Sequence, residues 1–126
     1  MPTKLISSKN IITELSNMEA SQHKQDLIST VEGCYQLSQQ MLDQGQLSKS
    51  LYYLDLAIEM DNGNTPQLIT FRAKLYILQK NYKDALDDIQ YLLELDAENE
   101  DALTAKKILQ IKINQQKLLT SFPIYQ

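Results

Sequence analysis

Apolar residues return every three or four positions between Asp26 and Asp43, at Leu27, Val31, Cys34, Tyr35, Leu37, Met41 and Leu42, which predicts an amphipathic helix. Gly45 offers a turn, and Leu47, Leu51, Leu54, Ala57 and Ile58 resume the stripe up to Met60. Asp61-Asn62-Gly63-Asn64-Thr65-Pro66 then punctuates the chain, with Thr65 placed to cap free amides and Pro66 at a first helical position that sacrifices no hydrogen bond. A third helix follows through Ile69, Ala73, Tyr76 and Ile77, and Lys80-Asn81 turn the chain into a fourth at Tyr82, Ala85, Leu86, Ile89, Leu92 and Leu93.

The second pair of helices repeats the first. Ile69, Tyr76 and Ala85 each lie 35 positions after Cys34, Met41 and Ser50, the signature of stacked helical hairpins, a short α-solenoid whose units cannot bury their apolar faces alone. After Asp96-Ala97-Glu98-Asn99 one more helix is marked by Ala102, Leu103, Ala105, Ile108, Leu109 and Ile111. With no second half after it, this helix is expected to cap the stack, its Lys106, Lys107, Lys112 and Lys117 keeping the outer face wet. Before the repeats, Leu5, Ile6, Ile11, Ile12, Leu15 and Met18 predict a short helix near Asn10–Ala20, ended by the polar break Ser21–Gln25. Its role is either to pack on the front of the stack or to dock on a partner.

The domain reading is a segment 1–25 with one short helix, then 26–119 holding hairpins at about 31–62 and 66–96 and a cap at about 99–118, then a tail 120–126. At 126 residues, 43% hydrophobic and 22% charged, the chain has the size and composition of one folded domain. A formal charge of −4 and a pI near 4.9 disfavour nucleic acid, whose phosphates need clustered cations. One cysteine forms no internal disulfide and no multi-thiolate site, so a cytoplasmic or other reducing compartment is expected. Lys4, Lys9, Ser7 and Ser8 ahead of the first acid, Glu14, leave a mitochondrial location as the alternative. No stretch reaches the roughly 18 apolar residues of a membrane span, and membrane insertion is not expected.

Candidate chemistry changes this picture little. Cys34 lies on an apolar stripe, as a buried hydrophobe does. His23, the one histidine, sits in a polar stretch without a dyad partner. The carboxylates from Asp84 to Asp101 read as a solvated helix face, Asp61-x-Gly63 lacks the acids of a calcium loop, and glycines at 33, 45 and 63 alone build no phosphate cradle. No enzyme, cofactor or metal is expected. Tyr52 and Tyr53, being adjacent, cannot both point inward.

These residues resemble the tetratricopeptide repeat family. The likeness is carried by Ala73, Tyr76, Tyr82-Lys83-Asp84-Ala85-Leu86 and Leu92-Leu93-Glu94-Leu95-Asp96, and in the first unit by Leu37, Ser38, Gln44-Gly45, Ser50-Leu51, Ala57 and Ile58-Glu59-Met60-Asp61. It covers about residues 31–112, with departures at Arg72, Leu92, Asn62 and Ala97. The resemblance implies an all-α, right-handed α-solenoid of antiparallel helical hairpins, working as an adaptor or scaffold that binds a protein segment, helical or extended, in a concave groove. The groove positions it implies are Tyr35, Gln39, Leu42, Thr70, Lys74, Ile77, Leu78 and Ile108. The chaperone-binding carboxylate clamp is not matched, because Tyr35, Gln39, Phe71, Asp101 and Ala105 stand at its places. The alternatives are a permanently docked accessory subunit of a large assembly and, in a different class, an RNA-binding helical repeat module, since a 35-residue period also occurs among RNA-reading repeats.

Overall fold

Helix α1 (Ser8–Ile28) runs unbroken through Ser21–Gln25, where the hydrophobic pattern predicts a break. Neither glycine nor proline interrupts those residues, and Gln22 Nε2 donates to Asp26 Oδ1 at 3.0 Å one turn on, so good helix formers carry the backbone across a stretch that merely lacks apolar side chains. The break falls instead at Ser29 and Thr30. The computed structural model describes residues 8–121, with side chains from 11 to 120; the expectations for Leu5, Ile6 and the tail beyond Ser121 lie outside the described residues.

Thr30 opens α2 (Val31–Asp43) by accepting the Gly33 amide on its hydroxyl at 3.0 Å, satisfying one free amide of the first turn. The corner is tight. A β-carbon at Gly33 would collide with the Leu27 carbonyl, so only glycine admits this approach of α1 to α2. The Cys34 thiol closes the same corner, donating to the Ile28 carbonyl at 3.5 Å.

Helix α3 (Leu47–Met60) follows Gln44–Gln46, and α5 (Tyr82–Leu95) follows α4 (Pro66–Leu78) through Gln79–Asn81. The two turns are built alike. Gly45, at φ 75°, donates to Leu42 O at 2.9 Å and Gln46 donates to Met41 O at 2.8 Å; 35 positions on, Lys80 at φ 61° donates to Ile77 O at 2.9 Å and Asn81 to Tyr76 O at 2.8 Å. The left-handed residue that satisfies the last carbonyls of the helix is a glycine in one unit and a lysine in the other. Pro66 does take the first turn of α4, but the Thr65 side chain caps nothing. Helix α6 (Glu100–Ser121) is capped by Asn99, whose Oδ1 accepts from Ala102 N at 3.1 Å.

Each helix packs on its neighbours in the chain: α1 on α2, α2 on α3, α3 on α4, α4 on α5 and α5 on α6. Among the described residues there is no strand, and the protein is all-α. Leu54, Leu75, Leu109 and Cys34 are fully buried. Small residues sit where helices of a pair meet: Ser38 against Ser50 in the first, and at the equivalent places Ala73 and Ala85 in the second, all buried. Small side chains there allow close backbone approach while larger neighbours fill the grooves.

The exposed side of α6 is not the uniformly polar surface its lysines predict. Ile108, Ile111 and Leu119 are at least half exposed between them.

Candidate functional site

Two adjoining depressions lie along α4. One, of about 390 Å³, is lined by Tyr35, Pro66, Gln67, Thr70, Phe71, Lys74, Leu92 and Asn99. The other, of about 290 Å³, is lined by Thr70, Ala73, Lys74, Ile77, Ile89, Leu92, Asn99, Asp101, Ala102 and Ala105. Thr70, Lys74, Leu92 and Asn99 belong to both, so the surface is continuous from α2 across α4 to the start of α6.

Four of the eight sequence-derived groove residues meet here: Tyr35, Thr70, Lys74 and Ile77. The i, i+4, i+7 spacing of Thr70, Lys74 and Ile77 sets them on one face of α4. The Tyr35 ring is fixed edge-on to Phe71, with centroids 5.6 Å apart and planes at 78°, a favourable quadrupole arrangement. Gln39, Leu42, Leu78 and Ile108 are not among the residues lining the two depressions. Leu42 packs partly buried against the core, whereas Leu78 is 59% exposed. In place of Ile108, α6 contributes Asp101, Ala102 and Ala105, because its first turns, capped at Asn99, are the part that faces α4 and α5.

The floor is apolar and the rim is polar. Ile89, Leu92 and Ala102 are buried, while Lys74 and Asp101 are exposed charges on the rim. Such a surface offers an apolar side chain a seat and a neighbouring carboxylate an ammonium partner.

A larger cleft, about 560 Å³, opens between α1, α2 and α3, with His23, Lys24, Lys49, Tyr52 and Tyr53 among its walls. It was not anticipated from the pattern of the sequence, since it depends on α1 continuing past Ser21. Tyr53 is buried and Tyr52 exposed, their rings edge to face at 5.2 Å, and Lys24 Nζ lies 5.8 Å from the Tyr53 ring centroid.

Arg72 is structural. Its Nε and Nη2 donate to both carboxylate oxygens of Asp88 on α5, at 2.9 and 2.7 Å, and its Nη1 donates to Asp55 Oδ1 on α3 at 3.1 Å. The hydrogen bonds it donates to Asp88 push the guanidinium pKa above its ordinary value against the opposing effect of burial. This departure from the repeat thus has a partner: Asp88, expected to be solvated with the rest of its acidic run, is buried. The places 35 positions earlier hold Leu37 and Tyr53, also buried, so one unit has two buried apolar side chains where the other has an ion pair.

Among the described residues, no group of three or more His, Cys, Asp or Glu side chains is placed to hold a metal ion, and no helix is long and apolar enough to cross a membrane. Cys34 is buried, and burial pushes its thiol pKa up, away from the thiolate that nucleophilic chemistry requires. No protein-family model matches the chain, and no curated protein matches it in sequence.

Proposed function

We propose that this protein is a non-catalytic protein-binding module, a short right-handed α-solenoid resembling tetratricopeptide repeats, that takes a segment of a partner along α4. The observation that carries the reading is the continuity of the two depressions through Thr70 and Lys74, which joins the Tyr35 edge to the apolar floor beside Ile77. A partner segment with an apolar side chain over Ile77 and Leu92 and a carboxylate near Lys74 fits this surface. Recognition then combines burial of that side chain with an exposed charge contact at the rim, which contributes more to selectivity than to affinity.

The test is affinity capture from cells with tagged wild-type protein and with Lys74→Glu combined with Tyr35→Ala, followed by mass spectrometry. Proteins recovered by the wild type are expected to be lost from the variant, whose helical circular dichroism stays unchanged. Equal recovery by a folded variant would reject this groove as the binding surface.

A further inference from the structure

The first and last helices each carry an apolar stripe that no other helix covers among the described residues. On α1 it comprises Ile11, Leu15 and Met18, at i, i+4 and i+7 and 44%, 53% and 67% exposed. On α6 it comprises Ile108, Ile111 and Leu119, at i, i+3 and i+11 and 50%, 57% and 74% exposed. One exposed leucine is ordinary; a row of them along a helix marks a surface meant to be covered.

The charges beside the two rows are opposite and equally spaced. Glu14 and Glu19 flank the α1 stripe on its two sides, and Lys107 and Lys112 flank the α6 stripe in the same way. Each pair is five positions apart, a rise of about 7.5 Å. None of the four takes part in an ion pair among the described residues, where the ion pairs are those of Arg72; Lys112 only overlies the Tyr82 ring at 5.8 Å. Docking α1 on a second α1 would set carboxylates against carboxylates, and α6 on α6 would set ammonium groups together. The mixed pairing alone brings both stripes and both sets of charges into register.

We propose that α1 of one copy of this chain docks along α6 of a second copy, covering both stripes and placing Glu14 and Glu19 against Lys107 and Lys112. Reciprocal docking closes a two-fold dimer, and one-sided docking extends into a chain of copies. The groove along α4 takes no part, so this association stands apart from partner binding at Lys74.

Sedimentation equilibrium of the full chain from micromolar to millimolar concentration tests this. The apparent mass is expected to rise from 14.5 kDa to twice that or more, and salt is expected to weaken the rise. Glu14→Lys with Glu19→Lys, and separately Lys107→Glu with Lys112→Glu, are each expected to weaken self-association at least tenfold, because in each variant both stripes carry one sign of charge. An equimolar mixture of the two variants restores opposite signs and is expected to associate as the wild type does. The exposed positions leave the fold intact, which far-ultraviolet circular dichroism verifies. A wild type that stays at 14.5 kDa throughout overturns the proposal, as do charge-reversed variants that associate undiminished or a mixture that stays monomeric.

Discussion

Ser38 and Ser50 exchange hydrogen bonds across the crossing of α2 and α3, each hydroxyl donating to the other residue's carbonyl, at 2.8 Å from Ser38 and 2.7 Å from Ser50. Their hydroxyl oxygens stand 2.9 Å apart, but two protons serve only two of these three contacts. Because both acceptors are backbone, removing one hydroxyl strands no buried donor. Ser38→Ala is therefore expected to lower stability by about 1 kcal/mol, and the double variant with Ser50→Ala by no more than about 2 kcal/mol. Ala73 and Ala85 already fill the equivalent crossing. Urea unfolding measures this, and a double variant that fails to fold would contradict it.

Arg72 separates a buried charge contact from an exposed one. Asp88→Ala leaves the guanidinium without its main partner and is expected to cost about 3 kcal/mol. Asp55, half exposed, contributes little, and Asp55→Ala is expected to change stability by less than about 1 kcal/mol. Arg72→Leu with Asp88→Leu is expected to be more stable than Asp88→Ala alone, because both charges leave together. Thermal melts of the three variants rank them, and a reversed order would refute the assignment.

The left-handed turns predict an asymmetry between the units. Lys80 holds φ 61° with a β-carbon where Gly45 holds φ 75° without one, a strain of roughly 1 kcal/mol or more. Lys80→Gly is expected to raise stability by up to about 1 kcal/mol, and Gly45→Lys to lower it by a similar amount. Denaturation midpoints decide; a destabilising Lys80→Gly would mean that the lysine side chain compensates elsewhere.

Gly33→Ala tests the corner between α1 and α2. In an open helix this exchange gains about 1 kcal/mol from propensity, but here the added carbon meets the Leu27 carbonyl. A net loss of about 1 to 3 kcal/mol is expected, with faster amide exchange concentrated in α1. Exchange spread evenly from α1 to α6 would speak against a local collision.

Alkaline pH should weaken the fold. Burial pushes the Cys34 thiol above its ordinary 9.0, and burial, aided by the Asp55 carboxylate, pushes the Tyr76 phenol above 10.0. Both groups bind their proton more tightly folded than unfolded, so their stabilisation is complete below about 9 and is lost as pH rises through and beyond 10. The melting temperature is expected to fall over that range, and Tyr76→Phe with Cys34→Ala, though less stable at neutral pH, to flatten the fall.

How far the sequence could be read follows from where side chains point. Helices α2 to α5 were legible because Cys34, Leu54, Ile69 and Ile89 face the core at helical spacing, and the small residues at 38, 50, 73 and 85 mark the crossings. Helix α1 was misjudged because much of it is exposed, so its periodicity lacks the apolar signal that burial imposes. Arg72 looked like a defect in the repeat, since a single strand of sequence does not reveal that Asp88 turns inward one helix later. Of the groove positions that the resemblance implies, Tyr35 on α2 and Thr70, Lys74 and Ile77 on α4 come together along the two depressions. Ile108 does not line the two depressions; it is half exposed on α6, whose first turns supply Asp101, Ala102 and Ala105 instead.

Because each helix rests mainly on its neighbours in the chain, closing these contacts requires only short loops and little chain entropy. Such a molecule is expected to fold quickly and to begin from either pair; the Asp55–Arg72 contact reaches from α3 to α4 and spans the boundary between them. That contact is half exposed and weak, so it is the packing of α3 on α4 that joins the two halves: disorder in one pair uncovers the apolar face of the other.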